Sequence, residues 1–96
     1  MNENIQNAII TGYSITNERG PLTAFIDLKF GMSAQGFGGY GEAKFIEFLT
    51  GIMRVLDVDR LEHIKGKPVR VVSKEFRVIG IGHIIENRWY YPEEQK

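Results

Sequence analysis

Gly31-Met32-Ser33-Ala34-Gln35-Gly36-Phe37-Gly38-Gly39-Tyr40-Gly41 holds five of the chain's eleven glycines. An alternating apolar run precedes it and a helix-like run follows it. How these residues are read therefore decides the fold. Glycine lacks Cβ, so its backbone adopts positive φ and lets other groups approach closely. Four glycines between Gly36 and Gly41 predict a glycine-rich loop over 31–41. Phe37 and Tyr40, interleaved with them, either stack on a flat ligand or plug the core beneath the loop.

Gly36-x-Gly38-x-x-Gly41 also satisfies G-x-G-x-x-G, the dinucleotide fingerprint that lies between a strand and a helix. In that setting the helix N-terminus and backbone N–H groups would hold a pyrophosphate. Asp59 and Glu62 lie near the distance expected of a ribose-binding acid. They fall in a helical or turn segment, however, and the chain is too short for the usual parallel sheet. A weaker version keeps an anionic ligand at the loop and helix start. The plainer reading makes the loop a packing device, whose glycines let strands or subunits come close.

Upstream, Ile5 to Thr16 alternates at period two, the pattern of a half-buried strand. Asn17-Glu18-Arg19-Gly20-Pro21 is a turn. Leu22 to Phe30 is the cleanest strand, with Leu22, Ala24, Ile26, Leu28 and Phe30 on one face. A first hairpin over 5–31 follows. Downstream, Phe45, Ile46, Leu49, Ile52, Met53 and Leu56 recur at helical spacing and predict a helix over 42–58. Its outer stripe carries Lys44, Glu47, Gly51 and Arg54. Gly51 mid-helix is either a close-approach point or an exposed glycine that is tolerated. A short helical turn follows, and Lys65-Gly66-Lys67-Pro68 ends it. A second hairpin is expected over 69–86, turning at Ser73-Lys74-Glu75. Its last strand is apolar on both faces and is expected to be central or covered. Gly80 and Gly82 within it suggest a bulge or a close approach. Residues 87–96 form an aromatic and then charged tail. The expected fold is α+β, a single domain over 1–96 in ββαββ order, with two hairpins in an antiparallel sheet and one amphipathic helix packed on it.

With 96 residues, 43% hydrophobic and 25% charged, the chain has globular composition. It has no cysteine, which excludes disulfides, thiol catalysis and cysteine-based zinc sites. No apolar run reaches the ~18 residues of a membrane span. Met1 to Asn4 has neither the basic nor the apolar region of a signal peptide, so a cytoplasmic location and no membrane partner are expected. Twelve basic and twelve acidic residues balance, which gives no strong nucleic-acid signal. Between Arg60 and Arg77 six bases face two acids, a net of +4 that can serve an anion-binding face or merely solvate strands. His63 and His83 have no metal-ligand spacing, so neither a metal site nor a cofactor is expected. His83 is weighed as a base, for example with Asp27, against a packed strand histidine. No nucleophile elbow or carboxylate pair stands out, so enzyme activity is not expected.

Gly36-Phe37-Gly38-Gly39-Tyr40, the following amphipathic helix, Lys65-Gly66-Lys67-Pro68-Val69-Arg70-Val71, Ile81-Gly82-His83-Ile84 and Trp89-Tyr90 together resemble a family of small phage and prophage proteins. The likeness runs from about Ile5 to Pro92. That family is similar to the Thoeris anti-defence sponges, which sequester cyclic ADP-ribose signals without cleaving them. Relatives carry a longer insert between the tyrosine and the helix, so any pocket wall it supplies is absent here. The resemblance implies a non-catalytic binder in the host cytoplasm, assembled as a dimer or larger homo-oligomer. The expected ligand-binding set is Gly36, Phe37, Gly38, Gly39, Tyr40, Arg70, Arg77, His83 and Trp89, acting on a small anionic, nucleotide-like ligand. Aromatic rings would stack on its base, and Arg70 or Arg77 would pair its phosphates. The alternative is an interaction module that blocks a host protein and has no small-molecule ligand.

Overall fold

In the computed structural model, which describes residues 3–17 and 20–93, the first two expected strands form β1 (Asn4–Thr16) and β2 (Thr23–Phe30). The glycine-rich segment is the first correction. Gly31-Met32 is a two-residue hairpin turn, with Phe30 opposite Ser33, and residues 33–41 form a third strand, β3 (Ser33–Gly41). Gly31 has φ 59°, as the first position of a II′ turn requires. The helix α1 (Ala43–Leu56) follows, then a short 3₁₀ turn (Leu61–Ile64), β4 (Pro68–Lys74), β5 (Arg77–His83) and β6 (Trp89–Tyr90). Three strands therefore precede the helix and three follow it, in place of the expected ββαββ order.

The six strands form one antiparallel sheet in the order β3-β2-β1-β4-β5-β6. After the β1-β2-β3 meander, α1 carries the chain back so that β4 lies beside β1. Spatial order 4-1-2-3 is a Greek key. The sheet curls because its strands are bulged. In β1 the register shifts between Ile10 and Gly12, so Ala8 and Ile10 point inward, and Tyr13 packs on the same core past the bulge. A bulge inserts one residue and bends the strand. The first half of β1 pairs with β4 and the second half with β2. Curling brings β3 towards the start of β5. There the Gln35 amide ties β3 to the start of β5, ahead of the part that pairs with β6: Val78 N donates to its Oε1 at 2.8 Å, and its Nε2 donates to Phe76 O at 3.4 Å.

In β3 the extra residue falls at Gly38-Gly39, so Phe37 pairs with Ile26 and Tyr40 with Ala24. Both aromatics thus face inward although they are three residues apart. Their rings meet Phe48 of α1, with centroids 5.4 Å and 5.1 Å away. The helix buries Phe48, Ile52, Val55 and Leu56 in the curl of the sheet, while Ile46, expected on the apolar stripe, is 63% exposed. The buried arc is centred on Phe48, one position round from the predicted stripe. The radius of gyration, 12.6 Å, matches the ~12.5 Å of a compact single domain of this length.

The second hairpin also differs. Its turn is Glu75-Phe76, because Lys74 pairs with Arg77. Phe76 is 98% exposed and takes no part in the strand. β5 ends at His83, so Ile84 and Ile85 leave the strand, and Ile85 is exposed. β5 lies between β4 and β6 and is central, as its two apolar faces implied. Its glycines make room for rings: an added Cβ on Gly82 would strike Trp89, and one on Gly80 would strike Tyr91. Aromatic side chains covering strand glycines restore the burial those glycines lack.

Candidate functional site

On one side of the curled sheet, α1 and residues 88–92 enclose a groove of about 740 Å³. One wall is the helix stripe Lys44, Glu47, Gly51 and Arg54; the other is the run from Arg88 to Pro92. Gly51 explains the spacing of these walls. Its missing side chain leaves room for the Tyr90 ring, and Tyr90 Oη donates to Glu47 O at 3.3 Å. A side chain at 51 would push β6 away from the helix. The mid-helix glycine is thus a close-approach point within the chain.

Three cations line the groove against one carboxylate. Lys44 Nζ pairs with Glu47 at 3.2 Å, and Arg88 Nη2 with Glu86 at 3.1 Å. Arg88 Nε is buried with no hydrogen-bond partner among the described residues. A buried donor left unpaired is costly. Arg54 is exposed and makes no ion pair among the described residues. Trp89, Tyr90 and Tyr91 also line the groove, with their rings packed over Gly82, Gly51 and Gly80 respectively. Burial, then the nearby Glu47 carboxylate, push the Tyr90 hydroxyl above its ordinary range, so it stays a neutral donor.

The residues expected to form one ligand site are divided among three places. Phe37 is 3% exposed, a core plug that no ligand reaches. Gly38 and Gly39 lie under the Phe48 and Phe25 rings, which fill the space a ligand would need. Gly36 is exposed, beside a shallow depression lined by Thr11, Asp27 and Gln35. Gly38 and Gly39 thus make room for packing, whereas nothing packs on Gly36. A second group gathers at the β5–β6 corner. The Arg70 guanidinium stacks on the Trp89 ring at 4.4 Å and donates to His83 O at 2.7 Å and Glu86 O at 2.8 Å. His83 Nδ1 accepts the backbone N–H groups of Ile85 and Glu86 at 3.0 and 2.9 Å. It is a turn-forming histidine, and its Nδ1 is not available as a base. Of this group Trp89 alone also lines the groove. The third group is Tyr40 with Arg77, both bonded to Glu93.

The groove residues Lys44, Arg54, Arg88, Tyr90 and Tyr91 were not among the expected ligand contacts. Two signals pointed to them: the polar helix stripe carrying a mid-helix glycine, and the run Arg88-Trp89-Tyr90-Tyr91-Pro92. Among the described residues no cluster of three or more His, Cys, Asp or Glu forms a metal-holding group, and no helix is long and apolar enough to cross a membrane. No family model, curated protein or solved structure matches the chain.

Proposed function

We propose that this protein is a non-enzymatic binder that sequesters a small anionic, nucleotide-like ligand in the groove between α1 and residues 88–92. The observation that carries this reading is the combination found there: Lys44, Arg54 and Arg88 with three aromatic residues around one cavity of about 740 Å³. Small-molecule sites commonly enclose roughly 300–1,000 Å³, with apolar walls and a few placed polar groups. Arginine donors suit phosphate oxygens, and aromatic faces suit a flat base. The groove lining offers charge and surface, without a nucleophile beside a base, which suits capture better than turnover. The sequence resemblance to phage anti-defence sponges points the same way, towards a cyclic ADP-ribose type of ligand held in the host cytoplasm. Ile5 and Ile9, exposed on the outer face of β1, would lie between copies in a homo-oligomer.

Native mass spectrometry of the protein incubated with ADP-ribose, cyclic ADP-ribose and AMP tests this. Retention of an unchanged ligand mass on a dimer or larger species is expected. Arg54→Ala should weaken retention at least tenfold, because Arg54 has no ion-pair partner among the described residues to lose. Absence of any retained mass would overturn the reading, and so would recovery of a cleaved product.

A second reading has its own observation. Phe76 stands fully exposed on the β4–β5 turn, at φ 68°, a conformation bulky residues rarely adopt. A rigid protruding ring is the kind of anchor that interfaces use, which favours a module that docks a host protein.

A further inference from the structure

Glu93 sits where an external anion would sit. Tyr40 Oη donates to one of its carboxylate oxygens at 2.9 Å, and Arg77 Nη2 donates to the other at 3.1 Å. Lys74 lines the same depression, of about 220 Å³, together with Ile79 and Tyr91. Lys44 adds further attraction for the carboxylate. The two donors come from strands, Tyr40 from β3 and Arg77 from the start of β5, and Lys74 lines the depression from the end of β4. The acceptor comes from the segment after β6, and its side chain is 59% exposed. An exposed ion pair of this kind contributes little to stability. The preorganised half of the arrangement is therefore the receptor, and the replaceable half is the carboxylate.

We propose that Tyr40, Lys74 and Arg77 form an oxyanion subsite for a phosphate group, occupied in cis by Glu93 until a ligand phosphate displaces it. A phosphate carries more charge and more acceptor oxygens than a carboxylate, so the same donors favour it. Tyr40 suits the role because burial, then the bond to Glu93, hold its hydroxyl protonated well above the usual phenol range. Tyr91 lines both this depression and the groove along α1. Residues 91–93 therefore form the partition between them. A phosphorylated ligand spanning both would lie across residues 91–93. The link to the groove rests on the function proposed above, whereas phosphate binding at Tyr40, Lys74 and Arg77 does not.

The test is calorimetric titration of the full chain with inorganic phosphate and, separately, with AMP. Glu93→Gln keeps the side chain's shape and removes its charge; Glu93→Ala is the second variant should the first misfold. Either is expected to bind inorganic phosphate at least tenfold more tightly than the unaltered protein, and adding Arg77→Ala is expected to remove the gain. Equal or weaker phosphate binding by the folded Glu93 variants overturns the subsite. A phosphate gain with no AMP binding would leave the subsite standing and count against the groove. Arg54-dependent AMP binding without a phosphate gain would do the reverse.

Discussion

At Phe76 the backbone has φ 68°, and the residue before it, Glu75, has φ 54°. Left-handed backbone costs an L-residue roughly 1–2 kcal/mol, whereas glycine loses about 0.5–1 kcal/mol in chain entropy elsewhere. The Phe76 side chain is 98% exposed, so little packing offsets the strain. Phe76→Gly should therefore stabilise the protein by about 0.5–1 kcal/mol, read as a higher urea midpoint with an unchanged slope. A loss of stability would mean that the ring packs in solution. Gly38 gives the opposite case. It has φ 130°, and an added Cβ would lie 2.7 Å from Ala24 O and 2.9 Å from the Phe48 ring. Gly38→Ala should cost about 3 kcal/mol or more, since backbone strain and overpacking act together. Tyr40 makes a pH prediction. Its folded pKa is raised above the ordinary value of 10.0, first by burial and then by Glu93. The sign follows from linkage: the contribution is fully present below pH 10 and is lost as pH rises above it. Stability measured by denaturant should fall above about pH 10, and Tyr40→Phe should flatten that fall. Glu93 acts in the other direction. Its bond to Tyr40, followed by the attraction of Arg77, lowers its pKa below 4.5, so its contribution is lost as pH drops beneath that value.

Among the elements, β2 was legible except at its start: alternation buries Ala24, Ile26 and Leu28 on one face, whereas Leu22, expected on that face, precedes the strand and is exposed. β1 was legible as a strand but not in its facing. The bulge near Thr11 inserts one residue, and no two-residue period survives an insertion. The same effect hid β3. Gly38-Gly39 breaks the alternation between Phe37 and Tyr40, and a strand with four glycines resembles a loop by composition. The Gly31-Met32 turn was the available signal, since a glycine first in a two-residue link marks a II′ hairpin. In α1 the polar stripe was visible from spacing. Its use as a groove wall was not, because the opposite wall, Tyr90 with its neighbours, lies 43 residues further along from Glu47. Period and spacing report one element's faces, whereas contacts between elements depend on how the sheet curls.

For the whole molecule, two features set the function proposed here. A bulged Greek-key sheet curls until Gln35 of β3 reaches the start of β5, and the space inside is filled by Phe48 and its neighbours. That interior is closed, so a ligand has to bind on the outside of the sheet or beside the helix. The expected ligand set centred on the glycine-rich segment with Arg70, Arg77, His83 and Trp89; packing at Phe37, Gly38 and Gly39 is dense, and the groove lined by Lys44, Arg54 and Arg88 lies along α1. The central claim is thus one of place: an anionic ligand held between α1 and residues 88–92. Backbone amide chemical-shift mapping during titration with cyclic ADP-ribose addresses it most directly. Shifts concentrated in residues 43–55 and 88–92, abolished by Arg54→Ala, are expected. Shifts centred on Thr11, Asp27 and Gly36 instead, or no shifts at millimolar ligand, would contradict it.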